Sequence, residues 1–504
     1  MHEVITLQFG QRSNYLATHF WNAQESYFSY SPGEAPLVNH DVLFRPGLGE
    51  GGIDTFTPRT LIYDLKGGFG SLRKINALYE AQDDAVARLW DGSTLTQQQQ
   101  PVEPSRYQTL LDSGMPTFQL QQQDVRYWSD FNRIFYHPRS AVQLNQYELN
   151  SELMPFENWS TGDDLFRDLD KEVDLLDRDV RLFAEECDQL QGMQLFTGTD
   201  DAWGGFAARY LDALRDEYPK SSLWVFGIEN NARVERRTHA MRQSNVARSV
   251  AAFGQQASAY IPLATLPKHP PYIRLNGSEW LTSALQCVAI ESATLPTRLV
   301  HDASTNFTLP VLESILNTNG SQNIFEVGLS YLEDDTANIN GTSNGHASSG
   351  READSTNFDP LDIKFLSMQE QSNRGIEHAF SRAEVHRSRH NSSVAPTRFP
   401  DDRVRQSADE ETIVEKFKTR LEFPMLDSFP DGLFQTRDLH PKSLGVKAAL
   451  TSTTSVRGHI LQLRRAAQMS LSIDERESIY NDLSALASNY SHGWDSGSDS
   501  GEDD

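Results

Sequence analysis

Residues 1–21 read M-H-E-V-I-T-L-Q-F-G-Q-R-S-N-Y-L-A-T-H-F-W: a buried strand, a glycine turn and the start of an amphipathic helix. Val4, Ile5, Leu7 and Phe9 form an apolar, partly β-branched run, and Gly10 ends it where the backbone must turn sharply. Asn14 opens the predicted helix, whose core face carries Leu16, Phe20 and Ala23 at three- and four-residue spacing while Gln24 and Glu25 turn toward water. Such a turn delivers unpaired backbone N–H groups to a helix N-terminus, where amides and dipole both favour negative charge. The stretch therefore predicts an α/β domain with a candidate phosphate cradle at its first turn, although the same topology opens many domains that bind no phosphate.

The rest of the chain sets the bounds. Its 504 residues suffice for a large core and two domains with insertions. No apolar run reaches membrane-spanning length, and the N-terminus lacks the patterns of a secretory signal or a cleaved presequence. The expectation is a protein kept in the cytosol or on an organelle's outer face, so the N-x-S/T triplets at Asn158, Asn276 and Asn340 carry no glycan meaning. A formal charge of −25 argues against direct binding of nucleic acid. The two cysteines, Cys187 and Cys287, read as small buried side chains, since neither a disulfide framework nor a metal cluster can be built from them.

Along the chain, Tyr27 to Pro58 reads as a long loop whose G-x-G-x-x-G at Gly47, Gly49 and Gly52 precedes no helix. Leu61 to Leu65 reads as a strand, followed by a helix from Ser71 to about Gln82. Residues 91–124, with glutamine runs at 97–100 and 121–123, read as a solvated insertion. His137, before a proline in an aromatic loop, reads as a capping or packing residue. Asp163 to Leu190 is predicted as the longest helix, with Leu169, Val173, Leu176, Val180, Phe183, Cys187 and Leu190 drawing one stripe toward the protein's own sheet. Met193–Phe196, a nine-residue loop from Thr197 to Gly205, a helix from Phe206 to Tyr218 and Leu223–Ile228 form a parallel βαβ unit. Helices follow over Gln243–Phe253 and Trp280–Ala293. Glu333 to Asp359 reads as a disordered insertion, and the arginine-bearing tract beyond Gln371 as a solvated linker. Leu421–Phe434 reads as loop or edge strand, and Trp494–Asp504 as an acidic, unfolded tail.

The opening stretch resembles tubulin, where the same strand leads into a G-Q-x-x-N turn that touches the guanine nucleotide's phosphates; Gly10, Gln11 and Asn14 fall on that turn. A second match, C-D-Q-L-Q-G-M-Q-L and then R-D-E-Y-P, frames tubulin's phosphate loop on both sides. The phrases L-I-Y-D-L-K-G-G-F-G-S-L-R-K and Y-W-S-D-F-N-R-I-F-Y-H-P-R-S resemble the Misato family of tubulin-related proteins. Inside the phosphate loop the likeness fails, because G-G-G-T-G-S-G falls on Thr199, Asp200, Asp201, Ala202, Trp203, Gly204 and Gly205. Those glycines let the backbone approach phosphates closely, which Trp203 and Ala202 do not do cheaply. Asp200 and Asp201, placed before a helix, complement its dipole for about 0.3–1 kcal/mol each and repel a polyphosphate not bridged by Mg²⁺.

The resemblance implies a tubulin-like α/β fold. Its N-terminal parallel-sheet domain of the nucleotide-binding type covers 1–265, with the 91–124 insertion. A smaller α+β second domain covers 266–486, with a disordered insertion about 333–410, and an acidic disordered tail covers 487–504. It further implies a factor for mitochondrial distribution, partitioning and DNA inheritance at the organelle's outer surface, with a cytoplasmic pool. Gly10, Gln11, Asn14, Gly204 and Gly205 then form a remnant GTP site, with no catalytic or metal residue and no cofactor expected. No P-loop, H-E-x-x-H, paired-cysteine motif or G-x-S-x-G elbow appears, which turns the reading away from an enzyme. A rival reading is a self-assembling GTPase that keeps GTP through Gly10, Gln11, Asn14 and Gly204. A third is an assembly factor associated with tubulin or chaperonin.

Overall fold

The computed structural model describes residues 2–29, 36–48, 54–72, 102–230, 232–265, 269–300, 307–332, 361–366, 377–389, 412–435 and 441–492. Its layers follow from side-chain alternation along the first strand, β1 (Glu3–Phe9), which is buried throughout. Val4 joins one apolar cluster and Ile5, Leu7 and Phe9 the other, on the opposite face.

After β1 come α1 (Gln11–Ser26), β2 (Phe44–Leu48), β3 (Asp54–Pro58), β4 (Thr60–Lys66), α2 (Arg106–Asp112), β5 (Ala141–Glu148), α3 (Trp159–Glu172), α4 (Arg181–Glu185), β6 (Leu190–Gly198) and α5 (Ala202–Glu217). There follow β7 (Ser222–Glu229), α6 (Arg236–Gln256), β8 (Ala259–Ala264), α7 (Glu279–Thr294), α8 (Leu309–Leu316) and β9 (Glu326–Tyr331). The chain ends through β10 (Ile363–Lys364), β11 (Ala379–Arg387), β12 (Ile413–Thr419), β13 (Phe423–Pro424), β14 (Ser443–Leu444), β15 (Val446–Thr453), α9 (Thr454–Ser470) and α10 (Ile473–Ser488).

Six parallel strands form the first sheet in the order β5-β4-β1-β6-β7-β8. From β1 the chain builds outward to β4 and β5 on one side and to β6, β7 and β8 on the other, so β1 and β6 flank the switch point where α/β sheets place their ligands. Helices α1 and α7 cover one face; α3, α5 and α6 cover the other, with α9 and α10 packed on α6. The far side of α7 meets a second, mostly antiparallel sheet in the order β10-β9-β15-β11-β12, which makes α7 the shared core helix of both layers. At its centre Glu291 is fully buried and pairs with Arg387 of β11 and with Arg298 (3.3 Å), while Gln24 of α1 donates to it at 3.0 Å. Gln24 is thus buried, not turned to water, because α7 supplies an acceptor.

Several expectations change. The stripe from Asp163 to Leu190 is not one helix: α3 ends at Glu172, Val173 is 39% exposed, and a wide turn over Leu176–Val180 precedes α4. Asp170 and Asp174 accept the N–H groups of Leu175 and Asp177, each at 3.0 Å, and so compete with the helical pattern. Among the described residues the longest helix is α6. The long loop after Tyr27 contains the β2–β3 hairpin. The described part of the 91–124 insertion packs into the fold, for α2 buries Tyr107, whose hydroxyl donates to Asp427 at 2.8 Å. In the tract read as a solvated linker lies β11, paired on both edges; Arg382 is bound by Glu384 and Arg387 by Glu291, so its charges are satisfied inside. The expected helix beyond Leu72, the insertion from Glu333 to Asp359 and the acidic tail from Trp494 lie outside the described residues.

Candidate functional site

The carboxyl ends of β1 and β6 meet the start of α1, the β6–α5 junction, the end of β7, the start of α7 and the β5–α3 connection. Gly10 (φ 82°) turns the chain into α1 in a conformation that favours glycine. It also leaves room for an indole, because a Cβ on Gly10 would lie 2.3 Å from Trp203 Nε1. Trp203, 6% exposed, is held there by Phe156, whose ring centroid is 5.1 Å away.

The junction between β6 and α5 is shorter than expected, only Thr199, Asp200 and Asp201, because the helix already begins at Ala202. Asp201 caps it, accepting the Trp203 N–H at 3.0 Å. Asp200, 3% exposed, turns inward and accepts the Asn230 N–H at 3.2 Å. Between them lies Arg12 of α1, which donates to Asp200 Oδ1 at 2.5 Å and to Asp201 Oδ2 at 2.6 Å. Burial pulls against the charged guanidinium, yet the two carboxylates raise the Arg12 pKa above its ordinary value. Desolvation and the Asp200 charge raise Asp201 against the pull of Arg12.

Gln11 and Asn14 are engaged elsewhere. Gln11 donates to Asp64 Oδ2 (2.5 Å) and to the Gly68 carbonyl (2.6 Å), and Asn14 donates to the same Asp64 oxygen at 2.7 Å. Burial lifts the Asp64 carboxyl to about 7 despite these bonds and the Leu65 N–H. Gly204 and Gly205 lie inside α5. A Cβ at Gly204 would stand 2.3 Å from Ser249 Oγ of α6, and one at Gly205 1.9 Å from the Trp159 carbonyl of α3; at Gly162, across the contact, it would stand 1.7 Å from the Ala202 carbonyl. Close helix approach therefore accounts for both glycines. The structure brings Gly10, Gln11 and Asn14 together and places Gly204 and Gly205 in a buried helix crossing.

Beside Gly10 opens a cleft of about 310 Å³, lined by Arg12 and by four carboxylate residues, Glu148, Glu157, Asp201 and Glu279. Burial raises Glu279 while Arg12 opposes the shift. Deeper, at the end of β7, Glu229 is 2% exposed, its Oε1 has no hydrogen-bond partner among the described residues, and burial reinforced by Asp200 pushes its carboxyl up to about 8. Arg12, Glu229 and Glu279 escape a reading of the sequence. A signal existed only for Arg12, since two adjacent acids folded into a helix start demand a countercharge. No group of His, Cys, Asp and Glu among the described residues is arranged to hold a metal ion. His137 packs edge-on against Phe183 with centroids 5.9 Å apart, and burial, with the Arg45 charge, lowers its pKa to about 4.

Comparison with known proteins places this geometry. Residues 2–113 match the family described as the Misato Segment II tubulin-like domain, and residues 117–299 match the family described as a tubulin domain. Protein dml1 of Aspergillus clavatus is 46% identical over the full length of both chains, and protein dml-1 of Neurospora crassa 42% over the full length of both. Protein dml1 of Schizosaccharomyces pombe is 34% identical over 64% of this chain and 70% of its own. With its tubulin-like sheet, its altered phosphate-loop position and relatives matched end to end, the chain belongs to the Misato/Dml1 family of tubulin-like proteins.

Proposed function

We propose that this chain is a non-catalytic tubulin-like protein that serves the distribution and partitioning of mitochondria and the inheritance of their DNA. It works at the outer surface of the organelle with a cytoplasmic pool. The mitochondrial part rests on the family resemblance. No helix among the described residues is long and apolar enough to cross a membrane, so the proposal has the protein held at that surface by protein partners, with tubulin and chaperonin as candidates.

The observation that carries the non-catalytic part is the Arg12–Asp200–Asp201 cluster capped by Trp203. Phosphates set at the two helix starts would need the space beside Gly10 and the amide-bearing turn before α5. An indole stands in the first and a carboxylate caps the second. The cleft sets Asp201, Glu148, Glu157 and Glu279 against Arg12 alone, and a phosphate oxygen at about 4 Å from a carboxylate that Arg12 does not balance meets a repulsion of about 4 kcal/mol at an effective dielectric of 20. Among the described residues the only cation lining the cleft is Arg12, already bound to two aspartates. These residues do not fit a guanine triphosphate. The 310 Å³ cleft favours the rival, a GTP-binding protein, being at the lower bound of about 300 Å³ for ligand pockets.

Two measurements test the proposal separately. Guanine nucleotide released on denaturing the purified full-length protein would overturn the non-catalytic part. Depletion of the protein in cells, with mitochondria imaged and their DNA counted per cell, tests the organelle part; unchanged networks and unchanged DNA retention would overturn that.

A further inference from the structure

Residues 232–256, spanning α6 and the segment before it, hold five arginines and a single carboxylate, Glu235, in a chain where acids outnumber Lys and Arg by 70 to 45. Two of the arginines are occupied: Arg242 donates to the Asn230 carbonyl (3.4 Å) and Arg248 pairs with Glu475 of α10. Arg233, Arg236 and Arg237 are exposed and have no ion-pair or hydrogen-bond partner among the described residues.

Helix stability gives no reason for this group. Arg236 and Arg237 open α6, whose first turn holds no acid and whose start has no side-chain cap. A cation there opposes the helix dipole, and neighbouring like charges repel. A group that weakens its own helix calls for a contact outside the fold. We infer that this face binds an acidic polypeptide segment of a partner protein, whose carboxylates pair with the three guanidiniums. The planar guanidinium fork suits carboxylates in two-point contact.

Other occupants fit less well. The first turns of α6, Arg-Arg-Thr-His-Ala, offer no large apolar side chain, and nearby Val234 is only 37% exposed, whereas a helix lying on a membrane inserts an apolar face. The chain's own acidic tail starts from the wrong end. Helix α10 runs beside α6, with Glu475 at Arg248 and Leu486 at Gly254, so its C-terminal end lies about 27 Å along α6 from Arg236. The inference holds whether or not nucleotide binds beside Gly10.

The test uses the full-length protein, a fluorescein-labelled oligoglutamate peptide, and vesicles of phosphatidylcholine with phosphatidylserine. The wild type should bind the peptide in a strongly salt-dependent manner. Arg233→Glu, Arg236→Glu and Arg237→Glu together should weaken this by about tenfold or more. Their melting temperature should be equal or higher, because acids suit a helix start; Arg→Gln at the same sites gives a second variant with an intermediate loss. Three results would overturn the inference: peptide affinity unchanged in both variants, vesicles bound while the peptide is not, or peptide bound only once Asp495→Asn, Asp499→Asn, Glu502→Gln, Asp503→Asn and Asp504→Asn neutralise the tail.

Discussion

Replacing Arg12 by alanine removes the guanidinium that bridges two aspartates, leaving Asp201 without a cation and Asp200 with Arg242 at 4.0 Å. Asp200 is 3% exposed and Asp201 21%, with Glu229 and Glu279 close enough to feel the same field. Taking one partner from a buried ion pair costs about 3–5 kcal/mol, because a charge is left without compensation. Arg12 itself keeps 18% exposure, so solvent screens part of this and the expected loss is about 2–4 kcal/mol near neutral pH. The sign of its pH dependence follows from proton uptake. Without Arg12 the Asp201 carboxyl, already raised by burial and the Asp200 charge, takes up a proton more readily in the folded state, so the deficit is full above its raised pKa and shrinks as pH falls through it. Adding Asp201→Asn to Arg12→Ala should restore part of the loss, which a mere cavity would not allow. Urea unfolding of both variants at about pH 5.5 and about pH 8 measures this. A loss under about 0.5 kcal/mol, the scale of an ordinary surface substitution, or a deficit larger in acid than in base, would refute the reasoning.

Further substitutions probe other parts of the account. Because the Glu229 carboxyl is pushed up to about 8, the unfolded chain releases a proton that the folded one keeps. Wild-type stability should therefore fall between about pH 4.3 and 8 by up to about 1.4 kcal/mol per pH unit from this group, and Glu229→Gln should flatten the fall in denaturant melts across that range. Gly205→Ala gains about 1 kcal/mol of helix propensity, but its methyl meets the Trp159 carbonyl. The clash should win, with a net loss of about 1–3 kcal/mol in thermal unfolding. Arg387→Ala leaves Glu291 buried with Arg298 alone and should cost about 3–5 kcal/mol in urea unfolding.

What could be read in the sequence was what depends on near neighbours. Alternation in Val4–Phe9, the Gly10 turn and the strand–helix–strand rhythm between Leu190 and Glu229 are local patterns, and each stands in the fold. Misreadings arose where a distant partner decided the outcome. Arg12 finds Asp200 across 188 positions of sequence, so neither residue announces the pairing. Arg382 and Arg387 resemble a solvated tract until Glu384 and Glu291 are set beside them. Gly204 and Gly205 invite a phosphate reading, yet the space they leave is filled by α6 and α3. In the Asp163–Leu190 stripe the apolar spacing was sound and buries Leu169, Val180 and Phe183, but Asp170 and Asp174 take up backbone N–H groups and break the helix.

We propose that Arg12, Asp200, Asp201 and Trp203 fill the place where the resemblance to tubulin would seat a nucleotide's phosphates. Equilibrium titration of the full-length protein with labelled GTP and Mg²⁺ tests it most directly. The account predicts no saturable binding up to about 100 μM, weaker than about −5.5 kcal/mol. Saturation at micromolar or lower concentration, abolished by Arg12→Ala or by filling the turn with Gly10→Ala, would contradict it.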